Sequence, residues 1–485
     1  RDRPDRAYLV RVPDGLGERL EGLPDVRWTG EVRPAWKIAP DLGTRTFVDP
    51  DRRSAGRMEV TVDLFPGEDA TTTVAAVRAT GAEVWDVVRF SDVVRLRARA
   101  DLAQVDTISK LPAIAWVEEA AEITSRNEIT KWVIQENIPD TTPIWDVGLH
   151  GEGQVIGHLD GRIDMNSCWF RDEVDNTPGP SHRKVIAYRS STGQGADSHG
   201  THTAGTAAGD QGPVNGVSDH NGMAFAAKIS HGNSRDITGS DTRQSNLYDY
   251  LAAAHDDGAR VHTNSWGDDG TVQYTTWSQD IDRFSYEFED SLVFFAVTNG
   301  SNLKTPENAK NVVAVGATQN GTNAGTHCSG GRGPTNDGRR KPEIYAPGCG
   351  IASARNSTDC LTRSSTGTSM ACPAVTGAGA LVRQYFEQGW YPSGGPVVDD
   401  AIVPSGALVK ATLLNSTVDM TGVTGYPSDL EGWGRLLLEN ALYFDGDARS
   451  LSVMADVRNV DGLSTGQQAE HPLVVLDGTE TLKIT

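Results

Sequence analysis

The stretch TGTSMACPAVTG (366–377) sets Ser369 among small residues at the start of a segment, 370–385, whose alanines and glycines suit a helix packed against close neighbours. A hydroxyl at a helix start meets free backbone N–H groups and the positive end of the helix dipole, where developing negative charge is stabilised. Two uses fit: a helix N-cap, the commonest role of serine there, or a nucleophile. A nucleophilic hydroxyl needs a base. Of the 11 histidines, His199 in DSHGTHTAGTAAG (197–209) precedes Gly200 and opens a second small-residue helix, so its ring is positioned rather than merely solvated. A zinc site from His199 with His202 fails on spacing, because the i, i+4 pair of an HExxH helix is absent.

A base needs a partner that fixes its tautomer. Asp160 follows directly on the apolar run of GQVIGHLD (153–160), and a carboxylate there can accept the imidazole Nδ1–H. Asp164 is a second candidate, placed beyond the turn. Attack by a hydroxyl creates an oxyanion. The Ser369 backbone N–H is one donor for it, and Asn299, after SLVFFAVT, offers a side-chain amide as another. Asn299 before Gly300 is also an ordinary turn signal.

The elements that must position these residues read as an α/β fold. GQVIGHLD, ARVHTNSWG (259–267), SLVFFAVTNG (291–300) and NVVAVGAT (311–318) each look like a strand buried on both faces, and helical stretches separate them. That alternation predicts a doubly wound, mostly parallel sheet with helices on both sides, where ligands bind beyond the carboxyl ends of the strands. Asp160 and Asn299 fall at those ends.

Composition narrows the function classes. A net charge of −21 and a pI near 4.9 argue against nucleic acid as a partner, since counterion-release binding needs clustered Lys and Arg. No run approaches the roughly 18 apolar residues of a membrane span. The five cysteines include no CxxC pair. Cys349 and Cys360 bracket a short loop and are a candidate disulfide; reduced, buried thiols are the alternative. The chain starts at Arg1 without an initiator Met, consistent with removal of a leader.

Four regions are expected. Residues 1–125 are rich in Arg, Asp and Glu, and 9–28 and 94–116 share a pattern ending in LPx(V/I)xW, which suggests a duplicated α+β unit. Residues 126–144 read as an exposed linker, residues 145–445 as the main α/β domain. Residues 446–485 read as the start of a β-module, with two strands around a turn near Asp477 and Gly478.

Together GTSMACP, SHGTHTAG and the order Asp, His, Ser resemble the subtilisin-like serine proteases. The resemblance covers roughly 145–445 and implies Ser369 as nucleophile, His199 as general base and acid, Asp160 as orienting carboxylate and Asn299 as oxyanion donor. It implies that Ser265, Trp266 and Gly267 line one side of the substrate cleft, facing Ala296, Val297 and Thr298. The 1–125 region resembles a subtilase propeptide, an intramolecular inhibitor cut off near its end, here between about 118 and 135. The closing segment resembles larger bacterial kexin-like relatives with a C-terminal β-barrel or jelly roll. Protein or peptide substrates, an extracytoplasmic location, no cofactor for the chemistry and structural calcium are further implications. No EF-hand loop occurs, so no metal residues are assigned.

Two departures from the family pattern bear on the site. Gly161 and Arg162 stand where Thr or Ser and then Gly are usual, which removes a hydroxyl beside Asp160 and brings in a guanidinium. That guanidinium either lowers the basicity of His199 through Asp160 or points to solvent. Thr298 stands where glycine is common, which narrows the cleft or shifts its wall. The opposing reading is a pseudoprotease or peptide-binding scaffold with an impaired site.

Overall fold

The computed structural model describes residues 17–24, 26–45, 52, 56–90, 93–120, 124–125, 131–138, 141–212, 220–237, 246–474 and 482–485. The chain divides into two units, one of Arg1–Gly43 with Gly56–Glu119, the other of Thr44–Ala55 with Ala120–Thr485.

In the first unit, β1 (Met58–Leu64), β2 (Glu83–Phe90), β3 (Val93–Ala100) and β4 (Ile114–Glu119) form an antiparallel sheet in the order β2-β3-β1-β4. Helices Ala70–Ala79 and Leu102–Ser109 link β1 to β2 and β3 to β4, a split βαβ arrangement. Local sequence fixes the helix starts. Asp69 accepts the Thr72 N–H at 2.7 Å, and Asp101 with Gln104 forms a reciprocal capping box. The shared pattern of 9–28 and 94–116 marks no duplication among the described residues. The later stretch runs through β3, its helix and β4. The earlier one contributes the short helix Gly17–Glu21 and a Trp28 that is 71% exposed, where Trp116 packs on the core. The strand expected before Gly17 lies outside the described residues.

The second unit contains β5 (Thr124–Ser125), β6 (Val155–Asp160), β7 (Val185–Arg189), β8 (Lys228–Asn233), β9 (Val261–Asn264), β10 (Trp266–Gly267), β11 (Leu292–Ala296), β12 (Val313–Thr318), β13 (His327–Ser329) and β14 (Ile344–Pro347). The main sheet runs β7-β8-β6-β9-β11-β12-β14 with parallel neighbours throughout, and β13 lies antiparallel against the end of β12. The expected doubly wound parallel sheet is therefore present. Its strands are apolar on both faces because each face is covered. Phe294 enters one core with the helices Ser198–Ala208, Thr368–Glu387 and Gly406–Ser416; its neighbours Val293 and Phe295 enter the other, with the helices Leu247–Asp256 and Thr276–Glu287. A hairpin of β15 (Cys349–Ala354) and β16 (Thr362–Thr366) precedes the Thr368–Glu387 helix, in which every residue from Thr368 to Phe386 is buried.

Three expectations are corrected here. Part of the expected linker is a packed element: Lys131–Gln135 is a short helix with Val133 and Ile134 buried, and Gln135 Oε1 accepts the N–H groups of Ile144 and Trp145 at 3.1 and 3.2 Å. The described part of 446–485 contains no strand, only a 3-10 turn at Asn459–Asp461; the turn near Asp477 and Gly478 lies outside the described residues. Cys349 does not pair with Cys360, because the hairpin aligns Cys349 with Thr366 and carries Cys360 to the opposite end. The disulfides are Cys168–Cys360 and Cys328–Cys349, and Cys372 is a buried free thiol. Among the described residues no helix is long and apolar enough to cross a membrane.

Candidate active site

β6 delivers Asp160 to the carboxyl edge of the sheet, where it is buried. His199 is the second residue of the Ser198–Ala208 helix, and its Nδ1 lies 2.6 Å from Asp160 Oδ1. The Gly161 N–H donates to the same oxygen at 2.6 Å. Glycine at 200 makes this approach possible: a Cβ there would sit 1.7 Å from the Gly161 carbonyl oxygen, so only a residue without one lets the helix come this close. Asp164, the alternative carboxylate, is buried as well, but it serves its loop. Its oxygens accept the N–H groups of Asn166 at 3.1 Å and Ser357 at 2.6 Å. His202 Nε2 lies 3.2 Å from the Arg363 carbonyl, away from any pairing with His199 as a metal site.

Arg162 takes neither of the two orientations expected for it. Its Nε and Nη2 each bond a different oxygen of Asp197 at 3.1 Å, and its backbone N–H adds a third bond to that carboxylate at 3.0 Å. This bidentate pairing holds the Asp197 carboxyl below its usual pKa against the opposing effect of burial and raises that of Arg162. The guanidinium is thus paired with Asp197 rather than with Asp160. Asp197 also explains Gly161, since a Cβ at 161 would meet Asp197 Cβ at 3.2 Å.

Ser369 is not an N-cap. The helix begins at Thr368 with Gly367 at the cap, so Ser369 is its second residue and Pro373 falls in the second turn. Proline has no N–H, and the helical bond it omits is the one to the carbonyl four residues back, that of Ser369. Ser265 replaces it. Ser265 Oγ donates to Ser369 O at 2.7 Å, while Ser369 Oγ donates to Ser265 O at 2.9 Å. Ser265 follows β9, and the parallel register pairs Leu159 with Asn264. One residue further on, Asp160 and Ser265 end neighbouring strands, roughly 5 Å apart in a sheet. The carboxylate that holds His199 and the carbonyl that holds Ser369 are thus fixed by one sheet edge.

Asn299 is exposed, just past β11. Its Oδ1 accepts from Ser329 Oγ at 2.9 Å and the Thr368 N–H at 3.1 Å, while the Thr368 hydroxyl donates to Val297 O. Two donors on the oxygen orient the other end of the amide, Nδ2, as an outward donor. The Cys328–Cys349 bridge braces this arrangement, because Ser329 adjoins Cys328 and Cys349 aligns with Thr366, two residues before Thr368. The Thr298 side chain turns away from the wall expected of it. Its Oγ1 accepts the Gly300 N–H at 3.1 Å, and its methyl packs on Gly331, where a Cβ would lie 2.6 Å away.

The remaining residues expected to line the cleft, Ser265, Trp266, Gly267, Ala296 and Val297, are buried. Trp266 turns its ring into the core against Trp277 and Phe295, with Nε1 donating to Leu159 O at 2.7 Å. What β10 offers outward is backbone. Thr124 and Ser125 of the same chain occupy it, paired antiparallel with Gly267 and Trp266. Among the described residues no three His, Cys, Asp or Glu side chains gather as a metal site, and no calcium ligands are assigned.

A doubly wound parallel sheet with Asp160 at the carboxyl end of one strand and Ser265, which holds Ser369, just past the end of its neighbour is an α/β fold with its polar groups where such folds bind ligands. Residues 151–434 match the family model of the Subtilase family, Peptidase_S8, and the chain belongs to that family. It is similar to the serine protease/ABC transporter B family protein tagA of Dictyostelium discoideum, 26% identical over 99% of this chain and 35% of the relative. It is also similar to an alkaline protease of Shouchella clausii, 28% identical over 61% of this chain and 70% of the relative. The chain spans about a third of the length of tagA. Among solved structures, fervidolysin of Fervidobacterium pennivorans shares the fold with a TM-score of 0.52 at 19% identity, covering 83% of this chain and 65% of that one. The epidermin leader peptide processing protease EpiP of Staphylococcus aureus does so with a TM-score of 0.52 at 16% identity, covering 81% and 100%.

Sequence reasoning missed Ser329, Asp197, Thr203 and His158. Thr203 and His158 left readable signals: Thr203 stands four residues after His199 on the same helix face, and His158 two residues before Asp160 on the same strand face. The others meet the site only through the fold.

Proposed function

We propose that the chain is a serine endopeptidase acting through an acyl-enzyme, with Ser369 as nucleophile, His199 as base and acid, and Asp160 as the carboxylate that orients it. The carrying observation is the 2.6 Å bond from His199 Nδ1 to Asp160 Oδ1, which leaves Nε2 as the ring nitrogen for proton transfer. For attack, the Ser369 hydroxyl moves its hydrogen bond from the Ser265 carbonyl to His199 Nε2. Oγ then bonds the scissile carbonyl carbon while His199 takes the hydroxyl proton. The oxyanion is met by Asn299 Nδ2 and the Ser369 N–H. The C–N bond breaks as His199 returns that proton to the leaving amine, and water repeats the sequence to release the acid. No cofactor enters these steps.

A peptide substrate would add as a strand along the backbone of Trp266 and Gly267, the position that Thr124 and Ser125 hold within the chain. That occupation supports a precursor whose N-terminal residues inhibit their own site and are cut between about 118 and 135. Two disulfides favour an oxidising, extracytoplasmic compartment. The relatives named as proteases support the same reading, and the Arg162–Asp197 pair argues against a guanidinium that disturbs Asp160.

The test is labelling by a fluorophosphonate probe with intact mass spectrometry. Ser369 is labelled in the wild type and not in Ser369→Ala, and the wild-type chain shortens at 118–135 on incubation. Absence of labelling after removal of residues 1–125 rejects the proposal.

A further inference from the structure

Asp160 lacks a hydroxyl neighbour at position 161, yet its second oxygen is not bare. Thr203 Oγ1 lies 3.2 Å from Asp160 Oδ2, the oxygen that His199 does not use. The same hydroxyl lies 2.9 Å from His158 Nε2. His158 stands two residues before Asp160 on β6, and the register places it opposite His231 on β8, with their Nδ1 atoms 2.9 Å apart. All four side chains are buried.

We propose that Thr203, oriented by the buried pair His158 and His231, is a positioning residue that supplies Asp160 with the donor missing at Gly161. The inference rests on reading Asp160 and His199 as the acid and base of the reaction.

The direction of the hydrogen bonds follows from counting protons. Burial, and for His158 also the neighbouring His231, pushes both imidazoles down to about 3, so each ring carries one proton. Only one of the two facing Nδ1 atoms is protonated. His231 Nε2 has no partner among the described residues. If His231 held its proton there, a buried N–H would go unsatisfied, and the Thr203 proton would be drawn to His158. With the proton on His231 Nδ1, that ring donates to His158 Nδ1. His158 then carries its proton on Nε2 and donates to Thr203 Oγ1, and the Thr203 O–H points to Asp160. The backbone carbonyls of His199 at 3.3 Å and Gly200 at 3.2 Å compete for that proton, but both are neutral and the carboxylate is the stronger acceptor. Glycine at 161 is then compatible with a supported Asp160: the hydroxyl comes from the helix side, because Asp197 crowds the strand side.

Thr203→Val keeps the shape and removes the hydroxyl, and Thr203→Ser restores it. In the full chain, kcat of Thr203→Val falls about tenfold or more with KM nearly unchanged, and Thr203→Ser recovers most of the loss. In an Asp160→Ala background Thr203→Val has no further effect. A second readout is independent of turnover: the downfield proton resonance of His199 Nδ1–H, assigned by its loss in His199→Ala, shifts in Thr203→Val and returns in Thr203→Ser. An unchanged resonance in Thr203→Val, or an equal loss of kcat in the Asp160→Ala background, overturns the proposal. A wild type that neither labels nor turns over while the resonance still responds to Thr203 sinks the protease reading and leaves the positioning role standing.

Discussion

Ser265 and Ser369 exchange hydrogen bonds in both directions, side chain to backbone each way, at 2.7 and 2.9 Å. The exchange exists because Pro373 withholds the N–H that would otherwise bond Ser369 O. Ser265→Ala should therefore lower stability by about 1–2 kcal/mol, the cost of a buried carbonyl left without a donor. Adding Pro373→Ala, which returns the helical N–H, should recover most of it. Urea unfolding of the two variants checks this, and a double variant as unstable as Ser265→Ala would refute the account.

Asn299 depends on two donors to its oxygen, Ser329 Oγ and the Thr368 N–H. Asn299→Ala should reduce kcat roughly 100- to 1000-fold with little change in KM, as expected for loss of one oxyanion donor. Ser329→Ala and Cys328→Ala with Cys349→Ala should act in the same direction but more weakly, because they loosen the amide without removing it. The cysteine variant should also lose about 3 kcal/mol of stability from the opened loop. Steady-state kinetics beside thermal melts separate the two effects.

Gly161→Thr, which restores the residue usual in the family, should not raise activity. The new Cβ meets Asp197 at 3.2 Å, and Asp197 is held by Arg162. A fall in kcat that Arg162→Gly partly relieves is expected. A gain from Gly161→Thr alone would show that Asp160 lacks support.

His158, His231 and His262 are all buried and pushed down to about 3 by desolvation. Unfolded, each takes up a proton near pH 6.5. The unfolded chain thus binds more protons between those limits, and stability falls as pH drops from about 6.5 toward 3. Among the described residues neither ring nitrogen of His262 has a hydrogen-bond partner. His262→Leu should therefore flatten the dependence by one proton, about 1.4 kcal/mol per pH unit. Urea midpoints at pH 7, 5.5 and 4.5 measure it, and a parallel dependence in the variant would count against a neutral His262.

The sheet was legible because strands buried on both faces announce themselves as unbroken apolar runs, and Asp160, His199 and Asn299 were legible because they end such runs or open small-residue helices. The cysteine pairing was not, since hairpin register decides which ends meet. The orientation of Arg162 was hidden for a similar reason: Asp197 is 35 residues away in sequence and reaches it only when the His199 helix docks. Thr298 read as a wall because its Cβ is evident in sequence, while the space for its methyl comes from a glycine on another segment.

The proline in the Ser369 helix has a mechanical consequence. A helix start normally takes its rigidity from its own next turn and frays when that turn frays. Here the first turn is clamped by a residue leaving the central sheet, so Ser369 is tied to the end of β9 as well as to its own helix. Fraying of the helix start would have to break two bonds to the sheet edge before it displaced the Ser369 hydroxyl.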